Sequence, residues 1–265
     1  MNILSETFIQ FSSHEQARLE FFASLIKESD IKKGELVLDI GAGIGNSTAC
    51  LVSQSGRPNL VVPVDISPEH RKNLIQHFGL KDSPFVCCDS RYPPFSDNCL
   101  DMAASYMTLK FLYPRSERFR MLYEKTRVTK TGGRVITAEV INKAGNEAEK
   151  NYLMKRELVR KIVKMGRYVK SSIEPPSVKE LLNSYRRLGL RIVKNEILER
   201  REDILVKDSE WSLVKDLLND VERAIINLHT SSQTELKQTL ENLRIRAKKY
   251  GVKFPSVILL IGIRS

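Results

Sequence analysis

The 265-residue sequence predicts an α/β protein built on an open, doubly wound, mostly parallel sheet, and three observations carry that expectation. An apolar run, Val37-Leu38-Asp39-Ile40, stops at the glycine-rich turn Gly41-Ala42-Gly43-Ile44-Gly45-Asn46 and is followed by a helical pattern from Ser47 to Gln54. From Val37 onward, short apolar runs alternate with helical patterns. Near the other end, Val257 to Ile263 is continuously apolar over a strand length, as expected for a strand buried on both faces.

Each element can be justified in order. Residues 1–30 read as an N-terminal helical cover, and the first strand and turn follow. Leu60 to Asp65 is a second apolar strand ending in a carboxylate, and Ser67-Pro68-Glu69 reads as a helix start with Ser67 as N-cap and Pro68 at the first helical position. Phe85-Val86-Cys87-Cys88 is a short third strand, again followed by an acid, Asp89. Strand four is expected at Met102–Ser105 and strand five at Lys130–Val140, fed by a Gly132-Gly133 turn. Strand six is expected at Leu190–Ile197. Helical patterns at 146–170, 209–228 and 234–250 interrupt the second half.

The glycine turn narrows the chemistry. A phosphate-cradling NTPase loop needs Gly-x-x-x-x-Gly-Lys-Ser/Thr, whereas Ser47-Thr48 follows Gly45-Asn46 with no lysine. The dinucleotide fingerprint Gly-x-Gly-x-x-Gly is also broken, because Asn46 stands where its third glycine belongs. Asp39-x-Gly41-x-Gly43-x-Gly45 instead resembles motif I of the class I S-adenosylmethionine-dependent methyltransferases. The stretch Pro94-Phe95-Ser96-Asp97 through Asp101 resembles the segment before strand four in their small-molecule branch, the methyltransferase type 11 and ubiquinone/menaquinone C-methyltransferase-like enzymes. Lys130-Thr131-Gly132-Gly133 resembles their Lys-Pro-Gly-Gly motif, with Thr131 for proline. The resemblance implies a Rossmann-like sheet of seven strands in the order 3-2-1-4-5-7-6, the last strand antiparallel, with helical cap insertions. It also implies S-adenosyl-L-methionine as cofactor.

That resemblance assigns cofactor roles to Asp39, Gly41, Ala42, Gly43, Gly45, Asn46, Asp65, Ile66, Asp89, Ser90 and Ser105. Asp39 orients the turn and the cofactor amino group, and the glycines bring backbone to the methionine and ribose. Asp65 accepts the ribose hydroxyls with Ile66 on the adenine face; for this acid a helix N-terminal charge partner is the plainer alternative. Asp89, with Ser90 beside it, takes the adenine amino group, and the Ser105 carbonyl faces the methionine ammonium. On the acceptor side the candidates are Glu139 at the end of strand five, Tyr106 after strand four and His14 in the first helix, with Arg18, Lys110 and Tyr113 weaker. A salt bridge for Glu139, a surface position for His14 and a packing role for Trp211 are the plain readings. The Asn/Asp-Pro-Pro-aromatic motif of amino-methylating nucleic-acid enzymes and the Pro-Cys nucleophile of RNA cytosine-C5 enzymes are both missing.

Composition sets the remaining bounds. The four cysteines, Cys50, Cys87, Cys88 and Cys99, lack the spacing of a disulfide framework or zinc site, and no metal is expected. No basic leader and no apolar run of about 20 residues is seen, so a cytoplasmic protein is expected. The length suits a single domain over 1–265: a cofactor-binding half, 31–140, and a second half, 141–265, with a lid at 146–170 and a cap at 208–250. The net charge of +11 falls mainly in the second half, since residues 1–140 hold 17 Lys and Arg against 16 Asp and Glu. Much of the excess lies on an amphipathic helix where Leu153, Met154, Leu158, Ile162, Met165 and Val169 recur among lysines and arginines. The function expected is methyl transfer to a small acceptor, anionic or amphiphilic, in an in-line geometry. The alternatives are an RNA methyltransferase recruited through the basic half and a cofactor-binding protein without turnover.

Overall fold

The computed structural model describes residues 13–165, 175–198, 218–219, 221–222, 225–226, 233–253 and 255–265. The chain divides into two compact units, one of Met1–Val140, Pro175–Leu198 and Val257–Ser265, the other of Ile141–Glu174 and Glu199–Ser256.

The first unit holds one seven-stranded sheet in the order β3-β2-β1-β4-β5-β7-β6. Its elements are α1 (Ser13–Lys27), β1 (Val37–Ile40), α2 (Asn46–Ser55), β2 (Val61–Asp65), α3 (Glu69–Phe78) and β3 (Val86–Cys87). They continue with β4 (Leu100–Tyr106), α4 (Arg115–Val128), β5 (Thr129–Val140), α6 (Val178–Arg187), β6 (Leu190–Leu198) and β7 (Val257–Arg264). The strands from β3 through β5 pair in parallel, and β7 runs antiparallel to both neighbours, β5 and β6. The sheet order and the reversed last strand are those the motifs imply.

Packing explains why the apolar runs became strands. On one face, Leu19, Phe22, Leu25 and Ile26 of α1 join Ala49 to Val52 of α2 over Val37, Met102, Ile136 and Leu259. Each fully buried Leu or Ile contributes roughly 1.5–3 kcal/mol. Elsewhere α4 lies against β4, β5 and α6. The edge strand β6 is buried only at Leu190 and is otherwise partly or fully exposed, and Lys194 and Glu196 pair at 3.2 Å along it. Charges there discourage further strand addition.

Three local expectations shift. The third strand shrinks to Val86–Cys87, pairing only with Val64 and Asp65. The Gly132-Gly133 turn lies inside β5 as an irregularity, with Thr129 opposite Leu100 and Arg134 opposite Met102. A Cβ on Gly133 would lie 2.8 Å from the Asp101 carbonyl oxygen, so the bend needs a bare backbone. The helix after β2 begins at Glu69 with Pro68 as N-cap, and Ser67 makes no side-chain cap. Its N–H is instead taken by Asp65 at 3.1 Å, and the first turn closes from His70 N to the Ser67 carbonyl.

The second unit has its own core. Here α5 (Glu147–Met165) packs Leu158 and Ile162 against Leu236, Leu240, Leu243 and Ala247 of α7 (Gln233–Tyr250), together with Leu218, Val221 and Ile225. A polar seam tightens the pair: Asn151 Nδ2 donates to the Gly251 carbonyl at 2.8 Å, and Arg246 Nε to Asn151 Oδ1 at 3.0 Å. Leu158 and Ile162 of the basic helix's apolar stripe are therefore spent inside this unit, with Met154 packed against them. Its cations are partly paired, Arg160 with Glu157 at 2.8 Å and Lys161 with Glu235 at 3.7 Å. Val169, Trp211 and most of 209–228 lie outside the described residues.

Candidate active site

Parallel strands leave their C-terminal ends along one edge, and the chain places its acids there. Asp39 lies in β1 opposite Pro63 and Ala104, Asp65 ends β2, and Asp89 follows β3. The turn after β1 is shaped by Gly41, Gly43 and Gly45 at φ +73°, +54° and +102°. These glycines serve three different ends. A Cβ on Gly41 would strike Thr108 at 2.3 Å, because Thr108 Oγ1 donates to the Ile40 carbonyl at 3.1 Å. A Cβ on Gly45 would strike Leu74 of α3 at 2.7 Å. Around Gly43 nothing lies nearer than the Gly41 carbonyl oxygen at 4.0 Å. Of the three, only Gly43 has open space where a Cβ would stand.

Asp39 is wholly buried, and its Oδ2 accepts from Ser47 Oγ at 2.8 Å and Thr48 Oγ1 at 2.7 Å at the start of α2. Its Oδ1 is buried with no hydrogen-bond partner. Burial pushes this carboxyl up to about 6, opposed by the two hydroxyls and by Lys125. A buried acceptor left unmade costs on the order of 1–3 kcal/mol unless a donor arrives. At the next strand end, Asp65 Oδ2 accepts the Gly43 N–H at 2.9 Å, and Oδ1 accepts from Ser67 and lies 3.0 Å from His70 Nδ1. Asp65 thus does serve the entry to α3 while also tying that entry to the glycine turn. Ile66 beside it is 70% exposed. Asp89 is gripped by Arg91, whose hydrogen bonds hold its carboxyl below the usual range despite partial burial.

The remaining candidates scatter. Ser105 is buried, and its Oγ accepts from Lys125 Nζ at 2.8 Å. The Tyr106 side chain runs into the core, with its hydroxyl 3.1 Å from Ser29 Oγ and its ring edge-on to Phe22; burial raises its phenol well above the ordinary value. The expectation that Tyr106 faces an acceptor is therefore corrected: the pleat of β4 turns it inward. The next residue, Met107, takes φ +59°, a strained setting for a side-chain-bearing residue. Glu139 is also wholly buried, its Oε2 accepting the Lys110 N–H at 3.3 Å and Oε1 its neighbour Val140 N–H at 3.0 Å. Burial raises its carboxyl, with Lys110 opposing. The side chains of His14 and Arg18 lie outside the described residues; Asn46 opens α2 and Ser90 follows Asp89.

Lys125 escaped the sequence reading. It is fully buried, bridging Ser105 Oγ, Thr137 Oγ1 at 2.9 Å and the Ile136 carbonyl; Tyr185 closes the cluster onto Thr137 at 2.8 Å. Burial drives its amine well below the ordinary value. A signal existed: Arg118, Met121, Leu122, Lys125 and Val128 fall at helical spacing, so both cations sit in the apolar stripe of α4. Among the described residues no cluster of His, Cys, Asp and Glu could hold a metal.

Comparison with known proteins finds relatives of the cofactor-binding stretch. A methyltransferase-domain family model matches residues 38–137, spanning the glycine turn and all three acids. Over that span the chain is similar to the class I S-adenosylmethionine-dependent methyltransferases. The chain is 27% identical to the demethylmenaquinone methyltransferase of Bacillus cereus strain AH187 over 199 residues, covering 70% of this chain and 81% of that protein. Among solved structures, it resembles a cyclopropane-fatty-acyl-phospholipid synthase-like protein from Lactobacillus casei ATCC 334. The TM-score is 0.71 at 15% identity, over 95% of this chain and 92% of that one. It also resembles a Haloferax volcanii methyltransferase solved with the Trm112 activator, with a TM-score of 0.56 at 18% identity over 95% of each chain.

Proposed function

We propose that this protein is a methyltransferase that uses S-adenosylmethionine to methylate a small amphiphilic acceptor. The observation that carries the reading is the unpartnered, buried Oδ1 of Asp39 beside a glycine turn that has open space at Gly43. A cationic ammonium is the donor such an atom lacks, and the bound sulfonium supplies an electrophilic methyl group.

The chain's own residues then divide the work. Asp39 holds the ammonium, Gly43 lets backbone approach, Asp65 receives the ribose hydroxyls, Ile66 covers the adenine, and Asp89 takes its amino group. Alignment and exclusion of water are what methyl transfer asks of the protein. Glu139 anchors the segment after β4 through the Lys110 N–H, which sets the rim of the acceptor site, and it is not required as a base. That rim carries Phe111 and Tyr113, 59% and 63% exposed, with Lys110 over the Phe111 ring at 5.1 Å. Exposed rings beside a cation suit an acceptor with an apolar body and a polar or anionic end. The relatedness to demethylmenaquinone methyltransferases supports the same class of acceptor.

The test is incubation with methyl-labelled S-adenosylmethionine and a fractionated cell extract. Label is expected in a lipid-soluble or small-molecule fraction. Label confined to RNA would overturn the acceptor class, and no label with tight cofactor binding would overturn turnover.

A further inference from the structure

Asp89 is held in a manner that its place in the sequence does not demand. Arg91, two residues on, donates its backbone N–H to Oδ1 at 2.9 Å, its Nε to Oδ1 at 2.9 Å and Oδ2 at 3.1 Å, and its Nη2 to Oδ2 at 2.5 Å. The other end of the guanidinium is pinned as well, since Nη1 donates to Glu117 in the first turn of α4. Arg120 Nε reaches the Arg91 carbonyl at 3.4 Å, and the Arg91 and Arg120 guanidinium groups lie 5.9 and 5.2 Å from the Tyr92 ring. The clamp therefore links the end of β3 to the start of α4.

A carboxylate offers about four lone-pair directions. Three donors occupy them here: the backbone N–H on Oδ1, Nη2 on Oδ2, and Nε, which is shared between Oδ1 at 2.9 Å and the longer contact to Oδ2 at 3.1 Å. What remains is one acceptor direction on Oδ2, in a carboxylate plane that the planar fork does not allow to turn. We propose that Arg91 is a positioning residue that gives the adenine pocket its selectivity, aiming Asp89 so that it accepts from a 6-amino purine and cannot re-aim at the ring N–H of a 6-oxo purine. This rests on the assignment of Asp89 to the adenine amino group. A freely rotating carboxylate could satisfy either base by a turn about its terminal bond. Arg91 removes that freedom. Because the guanidinium also keeps the acid ionised, Asp89 cannot become a donor to a 6-oxo group.

The experiment compares S-adenosylhomocysteine with S-inosylhomocysteine by calorimetry, in the full chain and in Arg91→Met, Arg91→Lys, Glu117→Gln and Asp89→Asn. The affinity ratio favouring the adenosyl ligand is expected to fall at least tenfold in Arg91→Met, less in Arg91→Lys, which keeps charge without the fork, and by a smaller factor in Glu117→Gln. An unchanged ratio in Arg91→Met, or tighter adenosyl binding once Arg91 is gone, overturns the proposal. Should Arg91→Met fail to fold, an unchanged ratio in Glu117→Gln overturns it. Asp89→Asn separates the two levels. If that variant keeps the wild-type ratio, the adenine assignment itself falls; if it collapses the ratio while Arg91→Met does not, only the role of Arg91 falls.

Discussion

Asp39 concentrates the energetics of the site in one carboxyl. Its folded value of about 6 lies above the ordinary 3.8, so the acid costs stability once ionised. The contribution is intact below pH ~4 and is lost as pH rises through ~6, on the order of 3 kcal/mol. Asp39→Asn is thus expected to melt higher than the parent at pH 7 without ligand, as read by differential scanning calorimetry. Binding of a cation runs the other way. Affinity for S-adenosylmethionine should weaken about tenfold per unit below pH 6 in the parent and stay flat in Asp39→Asn, as titration calorimetry from pH 5 to 8 would show. A second residue-scale prediction separates the glycines. Gly43→Ala keeps the fold, at a cost of about 1 kcal/mol for its positive φ, and loses cofactor affinity. Gly45→Ala lowers thermal stability, because its Cβ meets Leu74 at 2.7 Å. At this scale the sequence was partly legible. The spacing of Asp39 and the three glycines marked the turn, but the division of labour among them depends on Thr108 and Leu74, which approach from elsewhere in the chain. Tyr106 was misread because the sense of a pleat is a two-residue matter that needs the register of β4 against β1 and β5.

At the scale of elements, α4 is the least ordinary piece. An isolated helix with cations at 118, 120, 125 and 127 looks solvated, yet Arg118 and Lys125 are buried and each has acceptors waiting. Arg118 meets Glu180 of α6 at 2.8 Å, so the helix is riveted to α6 and to the two strands beneath it. Lys125→Ala should therefore cost about 2–4 kcal/mol, from the lost stem packing and the acceptors left behind, measurable as a lower melting temperature. The loop tied down by Glu139 allows a sharper test. Glu139→Gln preserves an oxygen acceptor for the Lys110 N–H, so turnover is expected within about threefold of the parent, whereas a base at this position would cost 10²-fold or more. Strand identity was legible because buried parallel strands read as continuous apolar runs. The two shortest matches, at β3 and the start of α3, slipped because their ends are set by Asp65 and its partners, not by local preference.

The whole molecule is two packed cores on one chain. The sequence places the basic excess in residues 141–265, but the fold redistributes it: the second unit holds 20 Lys and Arg against 14 Asp and Glu, the first 23 against 18. Both units are basic, and the neutral cofactor half exists only along the sequence. Two cores predict two calorimetric transitions. S-adenosylhomocysteine at 100 times its Kd should stabilise by about 2.7 kcal/mol the transition of the unit that contains the three acids, with the other less affected. One merged transition that moves as a whole would show instead that the units unfold together. No described helix is long and apolar enough to cross a membrane.

The strand order carries one more implication. β6 has a single neighbour, β7, and about 60 residues of the second unit are made between them. At ribosomal speeds of roughly 5–20 residues per second, β6 waits some 3–12 s after its own synthesis before its hydrogen-bonding mate exists. During vectorial emergence from the ribosome the nascent sheet is therefore five strands wide with an open flank at β5. The charges on β6 are most useful in that interval, when a chaperone or a neighbouring polypeptide could capture a bare strand.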